Sequence, residues 1–348
     1  MVTLQKIAQL ANVSIGTVDR VIHNRGRVSK ETETKIRNIV KELDYKPNIL
    51  AQSLSLSKTR EYHFGVLIPK FSQDGKYWEL PLRGINKAKE ELTVYKVKTI
   101  FSFYDKYSES SFEKAFNTMV FSTNKLDGLV ISPVLSHVTE ELIKKIPPEL
   151  PYVFLDSYIP NSKCISYIGE ESYNSGILAA KLMNMLIKES GTVAAFNVIP
   201  KDNHINDRVS GFLHYMQEHS GNKIEVYIAD RISDKRAFYN MTNQIVDNCR
   251  DLQGIFVPIS TIYQVAEHIK NISPDHKVFL IGYDLIEENL SFLKDGIIDF
   301  LISQRSELQG YLSIVSLFNF IALNQKANNK IMVPFDILTK ENVDFYHV

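Results

Sequence analysis

Between residues 3 and 22, apolar side chains fall at helical spacing, stop at Asn12-Val13, and start again behind Ser14. Leu4, Ile7 and Ala8 make the first stripe; Val13, Val18, Val21 and Ile22 continue it after the break. A serine at the restart caps the new helix by accepting a backbone N–H. The spacing predicts a helix-turn-helix, a motif whose second helix sets its N-terminal side chains against base edges in the major groove. Ser29 then caps a third predicted helix over 30–43, with Ile36, Ile39, Val40 and Leu43 on one face. Tyr45-Lys46-Pro47-Asn48 stops it. A short segment follows over 49–56, before the polar linker 57–60.

Charge divides the chain at the same place. Residues 1–60 hold 11 Lys and Arg against 5 Asp and Glu, whereas the remaining 288 hold 29 against 35, so a net charge of zero hides a basic head on an acidic body. Phosphate contacts supply most non-specific DNA affinity, and a basic surplus confined to the head suits that partner. Cys164 and Cys249 form no CxxC pair, which points to a reducing compartment without a disulfide framework. The N-terminus lacks the apolar run of a signal peptide, and the longest apolar stretch, 311–323, is too short to span a bilayer and reads as a buried helix. A cytoplasmic protein with no membrane partner is expected.

The head resembles that of the lactose-repressor (LacI/GalR) family. Val2-Thr3-Leu4, Ile7-Ala8, Val13-Ser14, Thr17-Val18, Arg20-Val21, Val28-Ser29, Tyr45, Pro47-Asn48 and Ala51-Gln52 with Leu54 carry that resemblance at matching spacing. It implies a dimer on a near-palindromic double-stranded operator, with the segment after Pro47 as a hinge helix. The DNA-facing residues it implies are Thr3, Ser14, Ile15, Gly16, Thr17, Arg20, His23, Arg27, Ser29, Asn48, Ala51 and Leu54. Thr17 and Ser29 match phosphate contacts, Arg20 a base-reading arginine, and Leu54 a minor-groove wedge. Physics suits both latter roles: arginine binds guanine through two hydrogen bonds, and an inserted leucine permits a bent, better-wrapped duplex. The alternative for Leu54 is a packing residue tying linker to body. Ile15 and Gly16 stand where relatives distinguish operators, Asp19 replaces the usual serine, and the hinge lacks its usual glycine.

From residue 64 onward, apolar runs alternate with helical patterns. Strands are expected over 64–69, 128–132, 152–156, 193–197, 224–228, 254–257 and 278–282, with a last strand-like run over 331–338. Helices are expected over 80–92, 175–187 and 207–218. Continuous apolar strands between helices argue for parallel sheets covered on both faces. The fold class is thus an all-α helix-turn-helix head plus hinge helix, joined to a two-lobed, doubly wound α/β body. That body resembles the type I periplasmic-binding-protein fold which the same family uses to sense effectors. The expected division is a head over 1–45, hinge and linker over 46–60, lobe 1 over 61–158 plus 302–325, and lobe 2 over 159–301 plus 326–348.

Ligands in such sheets bind beyond the C-terminal strand ends. Asp156, Asp284 and Gln304 close apolar runs, Tyr283 precedes Asp284, and Arg208 opens a helix after a loop containing Asn203. Tyr77 and Trp78 sit in the loop after the first strand. Aspartates accept from sugar hydroxyls, arginine donates a fork, and an aromatic face covers the apolar side of a pyranose. The resemblance accordingly implies a monosaccharide or polyol bound by Tyr77, Trp78, Asp156, Asn203, Arg208, Tyr283, Asp284 and Gln304. Blander readings stand beside these: the aspartates as caps, Arg208 paired with Asp207 or Glu218, and Trp78 as core. His204, with no second His or Cys at ligand spacing, reads as part of a solvated loop.

No GxGxxG after a strand, GxSxG elbow, P-loop or HExxH is present, so no catalytic residue, metal or cofactor is expected. The reading is a DNA-binding transcriptional regulator, a repressor controlled by a sugar-like ligand. Corepression or activation by the ligand is the alternative, and a sugar-binding or sugar-processing protein without gene regulation the more distant one. No leucine heptad follows residue 323, which favours a homodimer over a coiled-coil tetramer.

Overall fold

The computed structural model describes residues 4–22, 26, 28–43, 60–122, 125–188, 190–232, 234, 236–272 and 277–346. The head comprises α1 (Leu4–Ala11), α2 (Ile15–Ile22) and α3 (Lys30–Glu42). Ile7, Ala8, Ala11, Val18, Val21 and Ile36 form its core, so the apolar stripes do close on one another. Asn12 takes a left-handed φ of 56°, which ends α1 and lets the Val13 N–H reach the Ala8 carbonyl at 3.0 Å. Ser14 Oγ accepts the Thr17 N–H at 3.1 Å, and Ser29 Oγ accepts the Thr32 N–H at 3.2 Å. Both expected caps are made.

Two six-stranded sheets follow. The first has the order β11-β5-β4-β3-β1-β2, from β1 (Tyr62–Pro69), β2 (Val97–Tyr104), β3 (Gly128–Ile131), β4 (Tyr152–Leu155), β5 (Ser166–Gly169) and β11 (Lys330–Met332). The second has the order β12-β10-β9-β8-β6-β7, from β6 (Thr192–Ile199), β7 (Lys223–Asp230), β8 (Leu252–Phe256), β9 (Phe279–Tyr283), β10 (Phe300–Ser303) and β12 (Asp336–Leu338). Pairing is parallel except between β10 and β12. Each sheet thus repeats one doubly wound order, reversing between its first and third strands, and ligands bind outside the carboxyl ends at such a reversal.

Helices α4 (Glu79–Glu91), α5 (Glu109–Asn117), α6 (Ser136–Ile143) and α12 (Ser306–Ile321) belong to lobe 1. Lobe 2 carries α7 (Ser172–Leu186), α8 (Asn203–His219), α9 (Ala237–Asn248), α10 (Tyr263–Ile272) and α11 (Glu287–Lys294). In each lobe one helix pair is joined through reciprocal glycines. A Cβ on Gly84 would stand 1.8 Å from the Glu307 carbonyl oxygen, and one on Gly310 2.0 Å from that of Pro81. In lobe 2, Gly176 faces the Arg208 carbonyl and Gly211 that of Tyr173, each at 2.0 Å. Only glycine lets these backbones approach so closely.

The expected lobe boundaries need correcting. β5, placed in lobe 2 by a boundary at 158, pairs with β4 and belongs to lobe 1. Its Ser-Tyr-Ile-Gly sequence has one aliphatic residue, so no apolar run marked it. The single run expected over 331–338 is two strands: β11 joins lobe 1 and β12 joins lobe 2, divided around Pro334. Strands β2 and β10 were missing from the expected set. The chain therefore crosses between lobes after β5, after β10 and between β11 and β12.

Candidate ligand cleft and DNA-reading head

Loops at the carboxyl ends of both sheets converge where the lobes meet. Asp156 follows β4 and Asp284 follows β9, and each takes a φ of 72°. Their N–H groups extend the sheets instead of capping helices, bonding Ile168 O and Ile302 O at 3.0 Å. The Tyr77 hydroxyl donates to Asp156 Oδ1 at 2.5 Å. Gln304 Nε2, on the crossing after β10, donates to Asp284 Oδ1 and to the Tyr77 hydroxyl oxygen, both at 3.0 Å. One chain of hydrogen bonds thereby joins the two aspartates, and all four residues are buried. A cavity of about 340 Å³ opens beside Asp284, lined also by Arg83, Ser303, Arg305 and Ser306.

Arg208 is 1% exposed, and its partner is neither Asp207 nor Glu218. Nε donates to Glu170 Oε1 at 2.5 Å and Nη1 to the Pro258 carbonyl at 2.8 Å, while the guanidinium lies 3.9 Å from the centre of the Tyr283 ring. The Tyr283 hydroxyl meets Ser175 Oγ at 2.9 Å. Arg208 does not open its helix: α8 begins five residues earlier, at Asn203. His204 therefore lies in the first turn of α8, buried, and not in a solvated loop. Its Nδ1 is 2.8 Å from Asp202 Oδ1 and its Nε2 3.9 Å from Asp156 Oδ2. Burial alone would lower the His204 pKa, but the charges of Asp202 and Asp156 outweigh it and raise the value.

Burial also pushes the Asp284 carboxyl up to about 7, opposed by Arg208 and Gln304 and helped by the charges of Asp156 and Glu170. Tyr77 is held well above an ordinary phenol by burial and then by the charges of Asp156, to which it donates, and Asp284. Buried atoms without a hydrogen bond include Glu170 Oε2, Asp202 Oδ2 and Trp78 Nε1. Asn203 and Tyr158 tie the lobes together: Asn203 Nδ2 donates to the Tyr158 carbonyl at 2.7 Å, and the Tyr158 hydroxyl donates to Asp207 at 2.7 Å. Trp78 packs wholly in the lobe 1 core, its ring edge-on to Tyr77.

At the far rim, Asp74 reaches from lobe 1 to lobe 2. Its carboxylate accepts from Lys106 Nζ at 2.9 Å, from the Tyr107 hydroxyl, and from Arg231 Nη2 at 3.3 Å; Ser260 Oγ donates to its backbone oxygen at 3.2 Å. Burial opposes its ionisation, yet Lys106 and Arg231 hold the carboxyl below the usual range. Asp74, Gly75 and Lys76 all have positive φ, and a Cβ on Gly75 would stand 2.3 Å from Ile286 Cδ1.

In the head, Ser14, Ile15, Gly16 and Arg20 are exposed along the start of α2, with Thr17 half-buried among them and Ser29 exposed before α3. Thr3, His23, Arg27, Asn48, Ala51 and Leu54, and the expected hinge helix, lie outside the described residues.

Residues 3–48 match the family of bacterial regulatory proteins named for lacI, and residues 64–326 match the periplasmic binding protein domain. The chain belongs to the lacI family, with a periplasmic-binding-protein domain as its body. It is 26% identical to the HTH-type transcriptional regulator MalR of Streptococcus pneumoniae over 340 residues, 94% of this chain and 95% of that one. Catabolite control protein A of Staphylococcus aureus is 32% identical over 145 residues, 41% of each chain. A solved structure from Bacteroides fragilis, described as a candidate LacI transcriptional regulator, superimposes with a TM-score of 0.75 at 28% identity, covering 83% of this chain and all of that one. The glucose-galactose binding protein GanP of Geobacillus stearothermophilus, at 20% identity, shares the fold with a TM-score of 0.69 over 82% of this chain and 99% of its own. This lacI-family chain is a DNA-binding regulator controlled by a ligand.

Within it, sequence reasoning missed Glu170, Asp202, Asp74, Lys106 and Arg231. Asp202 and Arg231 follow β6 and β7, strands that were expected, which was the available signal; Glu170 and Lys106 follow β5 and β2, which were not expected. Among the described residues, no group of three or more His, Cys, Asp and Glu is arranged to hold a metal, and no helix is long and apolar enough to cross a membrane.

Proposed function

We propose that this regulator is a repressor whose grip on its operator is set by a small sugar or polyol held between the lobes. The observation that carries the reading is the polar cluster where the lobes meet, Tyr77, Asp156, Arg208, Asp284 and Gln304, in a chain whose head offers Thr17 and Arg20 to DNA. Ligand closing the lobes would alter the spacing of two heads in a dimer, a coupling of about 1–3 kcal/mol. Solved binding proteins sharing the fold include complexes with D-arabinose and D-tagatopyranose, which supports a monosaccharide-sized ligand. A DNA partner suits a chain that works in the cytoplasm, and no catalytic role is assigned to it.

The dimer is inferred from two apolar sheet edges. On β2, Phe103 is exposed and stacks on Phe101, with exposed Phe71 edge-on beside it; on β7, Val226 and Ile228 face outward. A second copy covering both edges would bury them, whereas a monomer mass from light scattering would sink the dimer. Deleting residues 1–56 should abolish operator binding and leave sugar binding intact. The repressor reading is tested by operator affinity with and without monosaccharides and polyols at fixed salt. Loss of affinity with ligand is expected; a gain would establish corepression instead.

A further inference from the structure

Arg208 occupies the place from which an arginine fork could meet a ligand, yet its charge is already paired. Glu170 Oε1 takes Nε at 2.5 Å and lies 2.5 Å from Nη2, Pro258 takes Nη1, and Tyr283 covers one face. Glu170 is itself fixed. It sits on the crossing between β5 and α7, two residues before the helix begins, where the helix N-terminus favours an anion. Ser175 Oγ donates to Oε1 at 3.2 Å, and both Glu170 and Arg208 are fully buried. The remaining charged neighbours are Asp156, Asp202 and Asp284, with His204 beside them and Lys106 acting on Asp156 and Asp202 from the rim. Glu170 Oε2 and Asp202 Oδ2 are acceptors without a donor. The cleft centre is rich in acceptors, and its strong cation is paired with Glu170, with Nη2 left without a hydrogen bond.

We propose that Glu170 is a specificity-determining residue: by neutralising Arg208 it makes the cleft admit uncharged or amine-bearing polyols and reject acidic ones. This rests on the polyol reading above. A ligand carboxylate entering beside Asp156 would meet a guanidinium already neutralised by Glu170 and a like charge at low dielectric, which is unfavourable. A hydroxyl or an ammonium would instead donate to the waiting carboxylate oxygens.

The test uses the full chain and matched sets: glucose, glucosamine and glucuronate, then galactose, galactosamine and galacturonate, followed by calorimetry or thermal shift. In a set that binds, the uronate should be at least about tenfold weaker than the neutral sugar, and the amine at least as tight as the neutral one. Glu170→Gln should narrow the uronate gap by about tenfold, because it leaves the Arg208 charge without its counterion. The double variant Glu170→Gln/Arg208→Gln, which removes both charges, should restore the gap. Should Glu170→Gln fail to fold, Glu170→Asp, shorter by one methylene, should narrow the gap partly. A wild-type chain that binds a uronate as well as its neutral partner overturns the proposal. So does a folded single variant that keeps the full gap, or a double variant that narrows it. Failure of the wild type to bind any sugar or polyol would instead remove the polyol reading itself, and this proposal with it.

Discussion

The two lobes are built alike and wired differently. Both have the same strand order, a helix pair locked through reciprocal glycines, and an aspartate at φ 72° after the fourth strand of the order. Around those aspartates the likeness ends. Asp156 in lobe 1 accepts from a tyrosine of its own lobe and faces His204 of lobe 2. Asp284 in lobe 2 leans on Gln304 of the crossing and stays protonated up to about pH 7. Lobe 2 also supplies the buried arginines Arg208 and Arg231, whereas the cation of lobe 1 at the rim is the partly exposed Lys106. Packing devices come in matched pairs, then, whereas charge is distributed unequally.

The unequal part should give the largest effects. Arg208→Met strands the Glu170 carboxylate in a dry site and is expected to cost about 3–5 kcal/mol in chemical denaturation. Tyr77→Phe, which removes one neutral donor from Asp156, should cost about 1–3 kcal/mol. Equal losses for the two would erase the proposed asymmetry. The matched part should behave as a pair. Gly84→Ala and Gly211→Ala each press a Cβ against a facing carbonyl, at 1.8 and 2.0 Å, and each should lose about 1–3 kcal/mol or more. A loss confined to one lobe would show that the other helix pair can slide apart.

The effect of Asp284 is graded by pH and small over any one unit of it. The folded Asp284 pKa of about 7 lies above its ordinary 3.8, so the protonated carboxyl adds stability that is full below about 3.8 and lost as pH rises through 7. Asp284→Asn removes this dependence. The stability of the variant relative to wild type should therefore climb by about 1.4 kcal/mol per pH unit across that window, then level off. A flat difference from pH 4 to 8 would mean that the carboxyl is charged throughout.

What could be read beforehand follows the same division. Asp156 and Asp284 were legible because each ends an apolar run that can only be a buried strand. β5 was not, because Ser-Tyr-Ile-Gly offers no run, and with it went Glu170 and the true edge of lobe 1. The Arg208–Glu170 pair spans 38 residues, and nothing local in either segment names the other. Likewise β2, with Lys98 exposed and Ser102 half-buried, reads as a polar segment although it forms an edge of its sheet. His204 was misread because the helix start was placed four residues late, at 207.

The three crossings lie at one side of the molecule, by β5, β10 and the last two strands, while β2 and β7 lie at the other. The chain is thus a lever with its fulcrum at Glu170 and Gln304. Four strand spacings separate β10 from β7, roughly 19 Å, so turning one lobe by ten degrees would carry the β7 edge on the order of 3 Å while the fulcrum residues hardly move. Residues at the fulcrum can therefore inspect a ligand at nearly fixed geometry. The long arm, where Asp74 meets Arg231, would turn that inspection into displacement.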